Sequence, residues 1–339
     1  MSGEGASAAD VPTSELGGAG VTVTRLILGC GNFGGVGSSP AFFGQGTRKD
    51  EAFRLMDAAW DAGITTFDTA DAYGGGRSET FIGEWLATKD GLVRDRLVVA
   101  TKTYNPMDDG ADHGLAPARI RRQLASSLGR LGLERVPLYL AHEFDPDVPQ
   151  AESLGTFGDL VREGLIGAVG ASNFGAAQLA DALDVSERDG LIRYEWVQNS
   201  CSLLEQEDLG GVVPLCARRG LGVTPFSPLA GGWLTGKYRR GESPPPGSRM
   251  TQRPEPYERY RRDPRVFDAL EALEREAGDR GVSMAALALA WLLDVPGITA
   301  IVVGPGREAH LAPALEALGI ELDRSERDRL TALFAPCAS

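Results

Sequence analysis

An α/β fold of the (β/α)8 TIM-barrel class is predicted by three features of this 339-residue chain. Short, nearly continuous apolar runs recur eight times from residue 25 onward. Amphipathic stretches of helical spacing separate them, with glycines marking the joins. The series also lacks the opening of a doubly wound open sheet, which is a glycine-rich phosphate turn followed by an acidic residue about 20 positions on. Eight alternating strand and helix units favour closure into a barrel, and the length suits one such domain.

Strands are expected at residues 25–29, 65–69, 97–102, 138–142, 166–171, 196–199, 222–226 and 299–303. Their apolar character on successive residues fits parallel strands covered on both faces. The first helix, 49–62, carries Phe53, Leu55, Met56, Ala59 and Trp60 and stops at Gly63. The second, 78–87, opens with Ser78 as its N-cap. The third, 116–131, sets Ile120, Leu124, Leu128 and Leu131 on one stripe, with Arg119, Arg121 and Arg122 on the wet side. Further helices fit 154–162, 176–183, 211–218, 284–293 and 309–318. Residues 228–262, with PLAGGWLTGKY, PPPG and EPYERYRR, form a long loop after strand seven. Extra helices are expected at 266–277 and 325–334. The Gly/Ala/Ser-rich residues 1–20 are expected to be a disordered N-terminal segment, leaving 21–339 as a single barrel domain.

Composition narrows the function. The formal net charge is -13 and the pI about 4.8. Such a surface repels phosphate backbones and anionic lipid, so the expected partners include no nucleic acid and no membrane. No apolar run approaches the roughly 20 residues of a membrane span. Cys30, Cys201, Cys216 and Cys337 are scattered, without CxxC pairs or metal-ligand spacing, as reduced thiols of a cytoplasmic protein are. With three histidines and no such spacing, no metal site is expected.

Active sites of such barrels lie at the C-terminal ends of the strands. There, polar residues interrupt the apolar runs: Asp68 and Tyr73 in FDTADAY, Lys102 in VVATKTY, His142 in LYLAHEFD, and Ser172 and Asn173 in VGASNF. Each alone has an ordinary structural explanation, as a cap, a solvated charge or a packing ring. Their coincidence on adjacent strand ends points to a site. A phenol has an unperturbed pKa of about 10, and a nearby ammonium lowers it. An Asp keeps that ammonium charged and oriented, and a neutral His can hydrogen-bond a carbonyl oxygen. The set suits protonation of an oxygen or deprotonation of an alcohol, and no activated Ser or Cys accompanies it.

DTADAYGGGRSE, ATK and YLAHEFD, followed by GASNF, VQNSCSLL, PFSPLAGGWLTGKY and IVVGPGREAHL, resemble the aldo-keto reductase signature over nearly all of the chain after the first twenty residues. The motifs are related to those of the branch that includes the potassium-channel β subunits. The resemblance implies a (β/α)8 barrel that reduces an aldehyde, ketone or keto-sugar with NADPH or NADH. It implies Tyr73 as proton donor, Lys102 and Asp68 as the pair that lowers its pKa, and His142 as the residue that orients substrate. It also places the nicotinamide against Gly31 and Asn32, its carboxamide on Ser172, Asn173 and Gln198, and its ring on Phe226, where many members have Tyr. The pyrophosphate falls along Ser227, Pro228 and Leu229, with Gly231 and Lys237. Gly304, Arg307 and His310 face the adenosine end. Phe33, Tyr104, Phe144 and Trp233 are candidates for the substrate pocket.

The adenosine end departs from the family pattern: Arg307 is shifted by one from the frequent basic position, His310 replaces Gln or Arg, and Ala314 replaces Asn. NADPH is therefore expected from family habit, with NADH open. Two other functions remain: a nucleotide-sensing regulatory subunit with little turnover, and a Schiff-base enzyme using Lys102. The protein is expected to act on a small-molecule carbonyl substrate, as a monomer or homo-oligomer.

Overall fold

The computed structural model describes residues 11–337, in which eight parallel strands form a barrel ringed by helices. The strands are β1 (Leu26–Gly29), β2 (Thr66–Asp68), β3 (Val98–Thr103), β4 (Val136–Ala141), β5 (Ile166–Ser172), β6 (Trp196–Gln198), β7 (Gly222–Val223) and β8 (Ile301–Val303). Spatial order follows chain order, and β8 returns to lie beside β1. Between β7 and β8 the ring closes through backbone bonds: Thr299 N donates to Val223 O and Val302 N to Pro225 O, each at 2.8 Å, and Ala300 N reaches Val223 O at 3.4 Å. Parallel neighbours need long crossovers, and helices supply them, among them Lys49–Asp61, Arg77–Ala87, Pro117–Leu131, Gln150–Arg162, Ala176–Asp189 and Met284–Asp294.

The two-residue period of a strand sorts its side chains into two layers. Phe67, Val99, Tyr139, Val169 and Val197 face outward and join the helix stripes in the main core. Ile27, Ala100, Leu138, Leu140, Ala168, Trp196 and Val302 form a second, inner core. Continuing each inward row by two residues leads from that apolar floor to a polar top: Ala100 to Lys102, Leu140 to His142, Trp196 to Gln198. The pairing Asp68 with Ala100, Lys102 with Leu140, and Ser172 with Gln198 sets these rows side by side. Gly170 belongs to the same inner layer, where a methyl group would stand 2.4 Å from the Trp196 indole.

The disordered segment expected over 1–20 is corrected in its second half. Thr13–Glu15 pairs antiparallel with Thr22–Thr24. Leu16 and Val23 are 1% exposed and fill the floor of the barrel, so their burial outweighs the flexibility of the glycine-rich turn between them. Residues 1–10 lie outside the described residues. Gly17 has φ +53°, and a Cβ there would sit 2.1 Å from Glu195 O and 2.5 Å from Gly222 N. Gly17→Ala is therefore expected to lower stability by roughly 2–4 kcal/mol, from left-handed strain plus overpacking. Urea unfolding checks this, and an unchanged midpoint would show that the hairpin does not hold the barrel floor.

Other elements shift in explicable ways. Ser78 is not the N-cap: Gly76 holds that place, and Ser78 is buried, donating to Cys30 O at 2.9 Å. Strand seven ends at Val223, since Pro225 lacks the N–H a longer ladder needs. A short helix, Gly91–Arg96, escaped notice; Asp90 caps it through Val93 N at 3.1 Å. The expected extra helices are present as Pro264–Arg280 and Arg324–Phe334, and they cover Met284–Asp294 on the flank. No helix among the described residues is long and apolar enough to cross a membrane.

Candidate active site

Lys102 stands at the centre of the barrel's upper layer with no exposed surface. A bare ammonium there would be costly, and its hydrogen bonds show how the cost is met. Nζ donates to both Asp68 oxygens, at 2.6 and 2.8 Å, and to the Thr69 carbonyl at 2.8 Å. Gln198 Nε2 donates to Asp68 Oδ2 at 2.9 Å, fixing the carboxylate from the other side. Burial pulls the Lys102 ammonium down, but Asp68, with Tyr73, more than offsets it and leaves its pKa raised. A Lys held charged in this way is a poor nucleophile, which opposes the Schiff-base reading.

Tyr73 reaches the same ammonium by a longer contact, 3.4 Å from Nζ to the phenol oxygen. Its chain position is set by Gly74–Gly76, whose φ values of 60°, 67° and 88° turn the backbone from β2 into the next helix at no Cβ cost. The Tyr73 ring lies against Gly31, where a Cβ would stand 3.5 Å away. The direction of its pKa departs from the sequence expectation. Burial pushes the phenol above its usual value, and Lys102 offsets that only in part. The reason is visible in the distances: most of the ammonium's field is spent on Asp68. The phenol thus stays protonated at neutral pH, the state a proton donor needs.

His142 packs edge-on to the Tyr73 ring, with 5.5 Å between centroids. Burial, and then the Lys102 charge, hold its pKa well below the ordinary range, so the imidazole is neutral near pH 7. Its carbonyl accepts Asn173 Nδ2 at 2.9 Å, and its Nδ1 has no partner among the described residues. Asn173 sits at φ +58°, and Ser172 Oγ donates to Gln198 O at 2.6 Å. With Asn173 Nδ2 and Gln198 Nε2 engaged, both side chains have their carbonyl oxygens left to accept from an amide. Phe226 is half-buried just past β7.

The residues expected to hold the phosphates are placed as follows. Ser227 has φ +56°, Pro228 is buried, Leu229 is half-buried, and Gly231 lies under the Tyr257 ring. Lys237 lies across Gly232, and its pKa is lowered by burial and by neighbouring Arg249. Arg307 Nε meets His310 Nε2 at 3.0 Å, and burial, Arg307 and Lys237 lower His310. Gly304 is exposed beside them. None of Lys237, Arg249 and Arg307 pairs with a carboxylate among the described residues, in a chain with many exposed ion pairs.

Two pocket assignments are corrected. Phe33 is 0% and Trp233 1% exposed, so neither offers a face to a substrate. Trp233 packs instead among Tyr238, Tyr260 and Phe267 of the long loop and the helix after it. Tyr104 and Phe144 keep part of their surface open. Sequence reasoning missed Arg249, whose guanidinium donates to Asn32 Oδ1 from 217 positions away; nothing local distinguishes it from other loop arginines. It also missed the Thr69 carbonyl, which no side-chain pattern reveals.

A sequence model of the Aldo/keto reductase family matches residues 25–335. The chain is 35% identical over 328 residues to the uncharacterized oxidoreductase YrpG of Bacillus subtilis, covering 94% of each chain. It is 28% identical over 347 residues to the versiconal hemiacetal acetate reductase of Aspergillus parasiticus, covering 96% of this chain and 97% of that one. A probable voltage-gated potassium channel subunit beta of Oryza sativa subsp. japonica is 32% identical over 283 residues, covering 82% and 85%.

Proposed function

The chain belongs to the aldo/keto reductase family, and from that premise we propose that it reduces an aldehyde, ketone or keto-sugar to the alcohol, with NAD(P)H as reductant and Tyr73 as general acid. The observation that carries the reading is the buried Asp68–Lys102 pair reaching the Tyr73 phenol beside a neutral His142. A bound nicotinamide would supply the hydride that forms the new C–H bond. The carbonyl oxygen then takes the Tyr73 proton. The phenolate left behind is stabilised by Lys102, and its proton is restored from solvent. Asp68 and Gln198 hold Lys102 in line, while a neutral His142 donates a hydrogen bond to the same oxygen.

The residues fit such a cofactor. Acceptors on Asn173 and Gln198 suit a carboxamide N–H, and the Phe226 ring offers a stacking face. Lys237, Arg249 and Arg307, without carboxylates of their own, suit phosphate groups. That surplus of cations favours NADPH over NADH.

Fluorescence titration with NADPH and NADH, followed by turnover of 4-nitrobenzaldehyde with each, tests the reading. Arg249→Gln is expected to weaken NADPH binding roughly 10- to 100-fold, the worth of a charge-assisted hydrogen bond. Unchanged affinity would remove Arg249 from the cofactor site. The likeness to the rice channel subunit favours a second reading, a nucleotide-sensing regulatory protein. Tight cofactor binding with no turnover of any carbonyl would select it.

A further inference from the structure

Tyr73 is carried on a segment that its own composition leaves loose. Gly74, Gly75 and Gly76 follow it directly, and all have positive φ. They make the turn possible, and they also give it more conformational freedom to lose than other residues would. A proton donor needs its oxygen closely placed, because misplacement by about 1 Å can lower a rate a hundredfold. The two residues that flank the turn supply a restraint. Thr69 Oγ1 donates to Ser78 Oγ at 2.8 Å, and Ser78 Oγ donates to Cys30 O at 2.9 Å. The first of these bonds closes residues 69–78 into a loop with Tyr73 inside it. Thr69 and Ser78 are both 0% exposed. Apolar groups of the same shape would fill that space at no loss of stability, so packing alone does not explain a buried pair of hydroxyls.

This chain of bonds ends on two of the surfaces that fix the phenol. Cys30 O, at one end, belongs to the residue before Gly31, where a Cβ would stand 3.5 Å from the Tyr73 ring. Thr69 is the other end, and its carbonyl accepts Lys102 Nζ at 2.8 Å. Its N–H donates to Ala100 O at 2.8 Å, which seats it beside β3. One residue thus meets Lys102 through its backbone and Ser78 through its side chain. The Asp68–Lys102 pair is short and needs no help from the loop. The contact from Nζ to the phenol oxygen is the long one, at 3.4 Å, and it depends on where the loop holds Tyr73.

We propose that Thr69 and Ser78 are positioning residues for proton transfer: their hydroxyls close the glycine-rich loop that carries Tyr73 and hold its phenol in register with Lys102. The proposal rests on the reductase reading. Both residues are fully buried, so they act through Tyr73 and not on the substrate. With the hydroxyl bond removed, Lys102 would keep Asp68, while the phenol would sample positions farther from the ammonium. The phenolate formed by proton transfer would then be less well stabilised. The loss falls on the chemical step and leaves binding alone.

The test is the single-turnover rate of 4-nitrobenzaldehyde reduction at saturating aldehyde and cofactor. Thr69→Val keeps the side-chain shape and removes the hydroxyl, whereas Thr69→Ser keeps the hydroxyl. Thr69→Val and Ser78→Ala are each expected to slow the step about 10- to 100-fold, with KM and cofactor affinity within about twofold of wild type. Thr69→Ser is expected to stay within about threefold of wild type, because the bond to Ser78 survives. A double-mutant cycle separates positioning from general loosening of the fold. In a Tyr73→Phe background no phenol remains to be positioned, and adding Thr69→Val or Ser78→Ala should cost no more than about twofold. An equal loss with and without the phenol would overturn the positioning role. So would a Thr69→Val rate within twofold of wild type, or a Thr69→Ser loss as large as that of Thr69→Val. If Ser78→Ala does not fold, the two Thr69 variants and their cycle decide the matter. No turnover of any carbonyl by the wild type with either cofactor would overturn the reductase reading and this inference with it.

Discussion

Replacing Tyr73 by Phe is expected to lower kcat for carbonyl reduction by about a thousandfold while leaving cofactor affinity nearly unchanged. General acid catalysis contributes roughly 10²–10⁴ in rate, and the substitution removes the acid alone. The ring remains, so the edge contact with His142 at 5.5 Å and the packing against Gly31 are preserved. Lys102 keeps its bonds to Asp68 and Thr69 and loses only the 3.4 Å contact to the phenol. The variant should therefore fold and bind NADPH, which separates loss of chemistry from loss of structure. Wild-type kcat in the variant would sink the proton-donor role. A tenfold loss with a matching rise in KM would move Tyr73 from catalysis to substrate binding.

Much of this site was legible in the sequence because a strand repeats every two residues. Ala100 to Lys102 and Leu138 to Leu140 to His142 are visible in the linear text as apolar rows that turn polar at the strand tip, and the barrel brings those tips together. What escaped depends on three-dimensional competition. Leu16 and Val23 look like any residues beside a glycine-rich stretch until the barrel floor gives them somewhere to be buried. Trp233 is an aromatic loop residue whose burial is decided by Tyr238, Tyr260 and Phe267, later in the same loop and in the helix after it. The direction of the Tyr73 pKa depends on how Lys102 divides its field between Asp68 and the phenol, a matter of 2.6 against 3.4 Å. Arg249 meets Asn32 only through the closure of a long loop.

Asp71, in the same DTADAY motif, is expected to weaken the fold at neutral pH, and Asp71→Asn to strengthen it. Its backbone N–H donates to Lys102 O at 3.0 Å, which fixes the residue behind β3. The side chain is 0% exposed, and neither carboxyl oxygen has a hydrogen-bond partner among the described residues. Burial, and then the Glu79 charge, push its pKa up to about 7; Arg119, Thr103 and Arg130 offset only part of that. Glu79 already claims Arg130, with Nε 2.7 Å from Oε2, and Thr101 at 2.5 Å. Between about pH 4 and 7 the folded chain therefore holds a proton that the unfolded chain releases. Stability contributed by this group falls as pH rises through that window, and the full penalty is present above pH 7. At about 1.4 kcal/mol per pKa unit, the cost at pH 8 is on the order of 2–4 kcal/mol after allowance for relaxation. Asparagine keeps the shape, carries no charge, and can donate to the nearby Thr103 hydroxyl. Urea unfolding of Asp71→Asn should show a gain of that size at pH 8 that shrinks steadily toward pH 4. A gain independent of pH would be a packing effect, and a loss at pH 8 would mean that the Asp71 carboxylate is better compensated than its unpartnered oxygens indicate.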